Sequence, residues 1–473
     1  MARHSIERIE TSFAFAKEIY MNNLSRRSFL KSSGLAATVA ATSTFASMPR
    51  VHAGEDNTIK IAWIGCGGRG NGAIRQALNA DKNTKLYAVA EAFEHRATGA
   101  VQGVIDTHGE DRVDCKDRVF TDLDGYKKAI DCLDDGDVVV LTTPQGFRPI
   151  TFEYAATHAK KINIFAEKPL GVDIPGLKRL QKANEVAKQK GIQVGVGLNN
   201  RHYLRTEETV NAIRDGKLGD VLTTWVYRLQ GPHNLNLHEG YTDLQNEVSN
   251  IFCFDWTSGG FVVDALIHNI DICCWCMNDY PVAAFGSGGR LVDMHDKGMR
   301  RAQDQLIDCG AIEYVFADGR RMNLHTRTVP NCWGMFQANV QGTKGCAQVG
   351  EGVGDPAIYE GCNMRDVNTR KVLWKPASPS NDSYQTEHDL LFKAIRNNDP
   401  WNEVQYALDA TRTAILGRTA METGDYVTME QVMNSTRELC PNIDDLRLDS
   451  PSPAKRDENG NYEIGEPGRT KLV

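Results

Sequence analysis

A glycine-rich turn near residue 65 is the feature that most constrains the fold of this chain. Residues 58–64 (TIKIAWI) are typical of a strand buried on both faces. The turn GCGGRG follows at 65–70, and NGAIRQALNA after it favours a helix. In this G-x-G-x-x-G spacing, Gly65 permits a tight turn, Gly67 lets the main chain approach a pyrophosphate, and Gly70 lets the helix pack against the strand. The segment therefore predicts a dinucleotide-binding βαβ unit.

An acidic residue follows this turn at the distance that such a unit requires. A second apolar segment, KLYAVA, ends at Glu91, which lies 21 residues beyond Gly70. A carboxylate at this distance accepts hydrogen bonds from the ribose hydroxyls and repels a 2′-phosphate, so NAD is favoured over NADP. His95 and Arg96 follow closely. NADP stays possible, because an arginine pairs readily with a phosphate.

Two later strand ends bring further side chains to the same crevice. Residues 137–144 (DVVVLTTP) and 162–171 (INIFAEKPLG) each combine a buried strand with a turn. In a doubly wound sheet, the residues just beyond the carboxyl ends of the strands line the ligand site. A lysine at a strand end is usually a surface charge, but Lys168, followed by proline at this edge, points to the nicotinamide end. The candidate cofactor-binding residues are Gly65, Gly67, Gly68, Arg69, Gly70, Glu91, Thr143, Pro144, Glu167 and Lys168.

A second polar group lies on an apolar segment, SGGFVVDALIHNID, at 258–271. The spacing predicts that Asp264, His268 and Asp271 lie on one face of a helix. A polar stripe on a buried helix is costly unless its members are paired or functional. For such a pair seen alone, a structural Asp–His contact that fastens the helix is the more common explanation.

The motifs GCGGRG, DVVVLTTP and AEKPLGVD (166–173) resemble those of the Gfo/Idh/MocA oxidoreductases, which include glucose-fructose oxidoreductase and inositol dehydrogenase. The resemblance implies that Lys168 belongs to the catalytic group and that a cis bond precedes Pro169. It also implies that Asp264 and His268 are active-site residues. Many members place a histidine where this chain has Arg148, which puts the role of this position in substrate contact in doubt.

The resemblance implies the chemistry of a hydride transfer to or from an alcohol. An imidazole that titrates near about 6.5 can accept a hydroxyl proton and return it, so His268 is the expected acid and base. Lys168 would stabilise the developing alkoxide, and Asp264 would keep Lys168 charged. Asp271 is expected to be structural. The candidate substrate-binding residues are Arg148, Arg201 and His202.

Beyond residue 176 the pattern changes to long alternating segments with polar turns, such as VLTTWVYRLQ, AIEYVFADGRRMNLHTR and YVTMEQV. Alternation at period two predicts antiparallel strands with one wet face. We therefore expect an α/β chain with a Rossmann domain at 54–176 and an α+β substrate and oligomerisation domain at 177–449. Residues 228–257 form an insertion that suits either sugar contact or a plain surface loop. The polar tail at 450–473 is expected to be loosely ordered.

The first 53 residues are typical of an export signal. The stretch SRRSFLK at 25–31 precedes a modest apolar segment, and Val51-His52-Ala53 fits a small-x-small cleavage site. The segment resembles a twin-arginine (Tat) signal, which implies a periplasmic or otherwise exported protein. The whole chain carries a net charge of −7, and the leader holds seven Lys or Arg against three acids, so the remainder is more acidic still. Such a surface repels nucleic acid and anionic membranes.

Cysteine spacing argues against both a disulfide framework and a metal site. Twelve cysteines are scattered along the chain, and the one tight group, Cys273, Cys274 and Cys276, lies in an apolar run typical of a buried helix. His233, His238 and Glu239 match no zinc-binding spacing. We therefore expect free thiols, no metal, and, by the family resemblance, a homo-oligomer.

Three functions remain open on this basis. The first is an exported NAD(P)-dependent oxidoreductase acting on a sugar, sugar derivative or polyol. The second is an NAD-dependent glycosidase, which oxidises its substrate transiently at C3, eliminates the aglycone and returns the hydride. The third is a non-catalytic sugar-binding protein. Export favours redox-neutral turnover with a tightly bound cofactor, because no free pool of the cofactor exists outside the cytoplasm.

Overall fold

The computed structural model describes residues 57–291, 303–350, 355–361 and 371–472. These residues build two sheets with helices packed on them. The predicted leader, residues 1–53, lies outside the described residues, so export stays a prediction.

The N-terminal sheet has six parallel strands in the order β3-β2-β1-β4-β5-β6. The strand order reverses between β1 and β4, which places the ligand crevice at the carboxyl ends of these two strands. The strands are β1 Ile59–Ile64, β2 Thr84–Ala90, β3 Val119–Phe120, β4 Val138–Leu141, β5 Asn163–Ala166 and β6 Val194–Val196. The helices of this part are α1 Gly68–Ala80, α2 Glu94–His108, α3 Gly125–Asp131, α4 Arg148–Thr157 and α5 Ile174–Lys190.

The parallel sheet extends beyond the predicted domain limit at residue 176. Helix α5 crosses that position and returns the chain to β6, which pairs with β5. Asp173 caps α5 by accepting a hydrogen bond from the Gly176 amide at 2.8 Å, and Gly191 ends it in the left-handed conformation. The dinucleotide-binding sheet therefore includes residues up to Val196.

The second sheet has nine strands in the order β14-β13-β12-β11-β7-β10-β9-β8-β15. Only the pair β7 and β10 is parallel, which confirms the prediction of a mostly antiparallel sheet. The strands are β7 Val221–Gln230, β8 Ala283–Gly289, β9 Cys309–Val315, β10 Arg321–Thr328, β11 Met335–Gly342, β12 Gly345–Val349, β13 Ala357–Tyr359, β14 Val372–Trp374 and β15 Val427–Thr428.

Helices cover one face of this sheet and leave the other more open. The remaining helices are α6 Leu204–Arg214, α7 Asp243–Ser249, α8 Asp255–Ser258, α9 Gly260–Asp264, α10 Ile267–Met277, α11 Ser383–Asn397, α12 Val404–Thr423 and α13 Met429–Met433. Of these, α11 packs on α1 of the N-terminal part. Thr224 and Val226 of β7 are buried on the covered face. On the other face, Trp225 and Tyr227 stack with ring centroids 6.0 Å apart, and His325 stacks on Tyr227 at 5.8 Å.

The prediction of a strand over YVTMEQV is wrong beyond Thr428. The Thr428 hydroxyl accepts a hydrogen bond from the Gln431 amide at 3.1 Å, and the Gln431 side chain accepts one from the Thr428 amide at 2.8 Å. This reciprocal capping box starts α13 directly after the two-residue strand β15. The cap therefore overrides the alternating pattern of the segment.

The prediction of a loosely ordered tail is also wrong. Glu247 of α7 is fully buried, and its carboxylate accepts hydrogen bonds from Ser452 at 2.6 Å and Tyr462 at 3.0 Å. The indole of Trp256 donates to the same carboxylate at 2.7 Å. Burial raises the pKa of Glu247, and the three donors act in the opposite direction. The tail is ordered because it supplies two partners that this buried acid requires.

The described cysteines agree with the expected thiols. All eleven of them are free, and Cys273, Cys274 and Cys276 are buried in α10.

No described helix alone is long and apolar enough to cross a membrane; the pair Asp255–Asp264 and Ile267–Met277, bent by 47°, meets the length and composition test only in combination.

Candidate active site

The glycine-rich turn combines two tightly packed glycines with two open ones. Gly65 has a φ of +92°, and a Cβ at Gly70 would lie 2.1 Å from the Gly65 carbonyl oxygen. In contrast, no atom lies within 4 Å of a Cβ built at Gly67 or Gly68. The main chain at the start of α1 is therefore bare, as the close approach of a pyrophosphate to a helix N-terminus requires.

A cavity of about 700 Å³ opens over this turn, within the range of about 300–1,000 Å³ that is typical of cofactor sites. Eight predicted cofactor-binding residues line it. They are Gly65, Gly67, Gly68, Arg69, Gly70, Glu91, Thr143 and Pro144.

The insertion supplies the opposite wall of the cavity, which sequence reasoning missed. Its contribution comes mainly from amide, hydroxyl and aromatic side chains, including His233, Asn234, Asn236, Ser249, Asn250 and Phe252. His233 stacks on Phe252 with ring centroids 4.7 Å apart and lies 5.5 Å from the ring of Phe261. The sequence did carry a signal, because the insertion is rich in His, Asn and aromatic residues. This composition does not identify the ligand that the insertion contacts. Among the described residues, no group of His, Cys, Asp and Glu could hold a metal ion.

Glu91 is held at the edge of the cavity by the glycine-rich turn itself. The Cys66 amide donates to one carboxylate oxygen at 2.6 Å, and the Phe93 amide lies 3.4 Å from the other. Glu91 is 9% exposed and lines the cavity. Arg96 also lines the cavity, with its guanidinium 4.8 Å from the ring of Phe93. A carboxylate placed in this way is suited to accept hydrogen bonds from two ribose hydroxyls.

Arg69 and Glu167, both predicted to bind the cofactor, pair with each other. The Arg69 Nε lies 2.7 Å from the Glu167 carboxylate, and the guanidinium lies 4.6 Å from the ring centroid of Tyr384. Glu167 is buried, whereas Arg69 also lines the cavity. The pair therefore joins the end of β5 to the start of α1.

Lys168 and Asp264 meet beside the cavity. The Lys168 Nζ donates to the main-chain oxygen of Asp264 at 2.8 Å and lies 3.3 Å from its Oδ1. Gln145, which follows the cavity residue Pro144, donates to the same Oδ1. The peptide bond between Lys168 and Pro169 is cis, as the family resemblance implied. The residues that line the cavity do not include Lys168, Asp264 or His268; the hydrogen bond from Gln145, next to the lining residue Pro144, links Asp264 to it.

The prediction that Asp264, His268 and Asp271 share one helix face is wrong. Helix α9 ends at Asp264, α10 begins at Ile267, and the chain bends by 47° between them. In a continuous helix, the Asp264 carbonyl would accept from the His268 amide. In this structure that carbonyl accepts a hydrogen bond from the Lys168 Nζ at 2.8 Å.

The His268 imidazole is held in its neutral form. Burial lowers its pKa well below the ordinary value, and the positive charges of Lys168 and Arg228 lower it further. Its Nδ1 is buried and makes no hydrogen bond with a described residue. A neutral imidazole beside an ammonium group can accept a proton from an alcohol that the ammonium polarises.

Asp271 serves the structural role that the sequence predicted. Arg201 binds its carboxylate through two nitrogens, at 2.8 and 2.7 Å. The guanidinium lies 4.9 Å from the ring of Trp275 and 4.0 Å from that of Tyr406. The ion pair with Asp271 and the two aromatic rings therefore hold Arg201 in place. His202 likewise lies 3.0 Å from the Glu403 carboxylate and is buried.

Arg148 lies below the site rather than in it. The side chain is 1% exposed, and its Nη1 donates to the carbonyls of Glu167 and Pro169. Its Nη2 donates to the carbonyl of Thr143. Burial lowers the pKa of Arg148 to about 10. No nitrogen of this group is positioned for substrate contact, so Arg148 positions the two strand ends that carry Thr143 and Lys168.

Comparison with curated proteins finds a partial likeness. No family model matches the chain. Inositol 2-dehydrogenase from Rhizobium meliloti (strain 1021) is 24% identical over 240 residues. This alignment covers 50% of the present chain and 60% of the relative, so the chain spans less than two thirds of that protein.

Comparison with solved structures extends over most of the chain. Scyllo-inositol dehydrogenase from Lactobacillus casei, with bound NAD(H) and scyllo-inositol, has a TM-score of 0.57 at 21% identity and covers 79% of this chain and 99% of its own. Aldose-aldose oxidoreductase from Caulobacter crescentus, complexed with glycerol, has a TM-score of 0.57 at 18% identity, covering 78% and 99%. The chain therefore has the fold of these dehydrogenase structures: a parallel Rossmann-like sheet followed by a mostly antiparallel one.

Proposed function

We propose that this protein is an exported, NAD-dependent oxidoreductase of the Gfo/Idh/MocA type that transfers a hydride between a tightly bound cofactor and a hydroxyl group of a sugar, sugar derivative or polyol. The observation that carries the proposal is the Lys168–Asp264 contact at 2.8 Å, next to a neutral His268 and a glycine-rich cavity. Relatives named as inositol dehydrogenases support the polyol class.

The residues of the cavity fit a dinucleotide. The bare main chain at Gly67 and Gly68 would hold the pyrophosphate at the N-terminus of α1, and Glu91 would accept the ribose hydroxyls. Thr143 and Pro144 would flank the ring end, next to Gln145 and Asp264. When bound, a nicotinamide supplies the acceptor for the hydride that leaves the alcohol carbon.

The chain's own groups account for the proton. His268 accepts the hydroxyl proton through Nε2 as the carbon–hydrogen bond breaks, and it returns the proton when the reaction runs in reverse. Lys168 donates a hydrogen bond to the same oxygen and stabilises the negative charge that develops there. Asp264 holds the ammonium group in place through its carbonyl and its carboxylate.

Tight retention of the cofactor is supported by the insertion. Tyr241 stacks on Phe93, with centroids 5.4 Å apart and planes inclined by 10°, next to Glu91. The carbonyl of Trp256 approaches Gly146 so closely that a Cβ there would lie 2.2 Å away. The insertion thus contacts the N-terminal part at two places, each next to residues that line the cavity. A cofactor held in this way would suit an exported protein, since it travels with the folded chain and is regenerated within each cycle.

The proposal is tested on the purified full-length protein. Mass spectrometry of the nucleotide released on denaturation should identify NAD, and addition of a polyol or sugar should reduce the bound cofactor, as read from its absorbance. A protein that binds no dinucleotide would contradict the proposal. Cleavage of a glycosidic bond with the cofactor unchanged after turnover would replace it with the glycosidase.

Replacing Glu91 with glutamine should change the choice of cofactor. The variant keeps hydrogen-bonding groups near the ribose but removes the charge that repels a 2′-phosphate, so the NADP-to-NAD ratio in the released nucleotide should rise about tenfold. Mass spectrometry measures this ratio. The control is Glu94→Gln, an equal loss of charge at an exposed residue at the start of α2. A ratio equal to that of the parent would show that Glu91 does not select the cofactor.

Self-association stays a prediction. The more open face of the nine-stranded sheet carries the stacked rings of Trp225, Tyr227 and His325. At its edge, Phe285 and Tyr426 are 39% and 58% exposed and lie 6.1 Å apart. An aromatic face of this kind is a suitable contact for a second copy of the chain.

A further inference from the structure

One cation near the candidate site lowers the pKa of His268 but contacts neither Lys168 nor Asp264. Arg228 belongs to β7, where it pairs with Phe336 on β11 and Thr326 on β10. It shares the helix-covered face of the sheet with Thr224 and Val226, because side chains two residues apart point to the same side of a strand. Arg228 therefore extends toward the helices that carry the candidate catalytic residues.

The packing of α10 on β7 brings Arg228 toward His268. The Cys273 sulfur lies 4.0 Å from the Trp225 carbonyl oxygen, which fixes the two elements against each other. From that point, His268 lies five residues toward the start of α10, about 7 Å along the helix. Arg228 lies three residues toward the end of β7, about 10 Å along the strand. Its charge is close enough to lower the pKa of His268.

The Arg228 guanidinium is held in one orientation, but its two terminal nitrogens make no hydrogen bond with a described residue. It lies 4.1 Å from the ring centroid of Phe336, and its Nε donates to the Gln230 side chain at 2.7 Å. Among the described residues, no carboxylate lies within ion-pair distance of it, and Gln230 is its one hydrogen-bond acceptor. The two terminal nitrogens are thus left with a fixed plane and no partner, the geometry that a carboxylate binds through both oxygens.

The charges around the site are not balanced. Lys168 and Arg228 are positive. Among the described residues, Asp264 is the carboxylate that pairs with Lys168 and also acts electrostatically on Arg228. Asp264 already accepts from Lys168 and Gln145. His268 adds no charge while it is neutral. A partly buried cation without a counter-ion is unfavourable in the free protein, and an anionic ligand would relieve it.

We propose that Arg228 binds a carboxylate of the substrate, so that the preferred substrates are acidic sugars such as hexuronates rather than neutral polyols. The proposal rests on the proposed oxidoreductase function and narrows its substrate class. Lys168 and His268 act on the reacting hydroxyl, while Arg228 fixes the acidic end of the same molecule against the wall formed by β7 and β11. Phe336 and Gln230 hold the guanidinium plane for that contact.

The test compares three hexuronates (D-glucuronate, D-galacturonate and D-mannuronate) with their parent hexoses. Reduction of the bound cofactor in the full-length protein, followed over a single turnover at several sugar concentrations, gives a second-order rate constant for each sugar that is the single-turnover equivalent of kcat/KM. We expect the best uronate to exceed its hexose by at least about tenfold. In Arg228→Gln, the value for the uronate should fall about 100-fold, while that for the hexose should change less than about threefold. Arg228→Lys should lie between the two, since it keeps the charge but loses the planar fork.

Arg321→Gln is the matched control, because it removes one positive charge from the opposite face of the same sheet, where Arg321 pairs with Glu313 at 3.0 Å. It should leave the preference unchanged. Thermal unfolding and bound nucleotide establish that each variant is folded. Equal rate constants for hexoses and uronates would contradict the role of Arg228, and so would a uronate preference that persists in Arg228→Gln. Either result would leave the proposed oxidoreductase function intact. Oxidation of no sugar or polyol would instead remove the proposed function, and this inference with it.

Discussion

Replacing His268 with asparagine is expected to lower kcat about 1,000-fold while the protein keeps its bound nucleotide. The imidazole is the group positioned to accept the hydroxyl proton, and an amide cannot take that proton at neutral pH. The side chain does not line the cavity over the glycine-rich turn, so binding of the dinucleotide should persist. Reduction of the bound cofactor measures the rate, and mass spectrometry of the released nucleotide measures its retention.

The pH profile of the parent protein provides an independent check. Because the pKa of His268 is lowered well below its ordinary value, the imidazole stays neutral through the region near about 6.5 where an unperturbed histidine becomes charged. For oxidation, kcat/KM should therefore stay level down to about pH 6.5 and fall only below it, as the base becomes protonated. This acid limb should be missing from the residual activity of His268→Asn.

A matched variant controls for loss of a histidine as such. His325→Asn alters an exposed histidine on the more open face of the second sheet and should leave both rate and pH profile unchanged. If His268→Asn kept more than about a tenth of the parental kcat, the general-base role of His268 would be wrong.

Replacing Lys168 with methionine is expected to lower kcat by about 100- to 1,000-fold. The substitution removes the donor to the developing alkoxide and leaves Asp264, a buried carboxylate, with Gln145 alone. It also removes one of the two positive charges that lower the pKa of His268. The acid limb of kcat/KM should therefore move to higher pH in this variant, a shift that a general loss of stability would not produce.

Lys168→Arg is the charge-conserving control for this position. It should keep the acid limb near its parental pH, although the larger guanidinium will not reproduce the 2.8 Å contact with the Asp264 carbonyl. A Lys168→Met protein with an unmoved acid limb would show that Lys168 does not act on His268. A kcat within about threefold of the parent would remove Lys168 from the candidate catalytic group.

Local chemistry explains which parts of the fold were predictable. The glycine-rich turn and the strand ends at Thr143 and Lys168 depend on apolar periodicity and turn residues, both of which are properties of contiguous sequence. The same holds for Glu91, whose distance from Gly70 follows from the length of one βαβ unit. In the structure, Glu91 and Thr143 line the cavity, and Lys168 contacts Asp264.

The remaining features depend on contacts between distant segments. At the break between α9 and α10, the Asp264 carbonyl accepts a hydrogen bond from Lys168, which lies 96 residues away in sequence. Arg148 lies inward, where its guanidinium donates hydrogen bonds to three main-chain carbonyls at two strand ends, the farthest in sequence being that of Pro169. The residues near Lys168 and Arg148 in sequence carry no pattern that predicts these contacts. Hydrophobic periodicity therefore gave no indication of them.

The hold of the tail on Glu247 links the cofactor cavity to residues 205 and 215 positions further along the chain. Ser452 and Tyr462 bind the carboxylate of Glu247 in α7, and the residues that follow it, from Val248 to Phe252, wall the cavity. Packing of this wall therefore depends on a segment that is distant in sequence. Loss of either hydrogen bond would loosen the wall and act on nucleotide loading, although neither Ser452 nor Tyr462 lines the cavity.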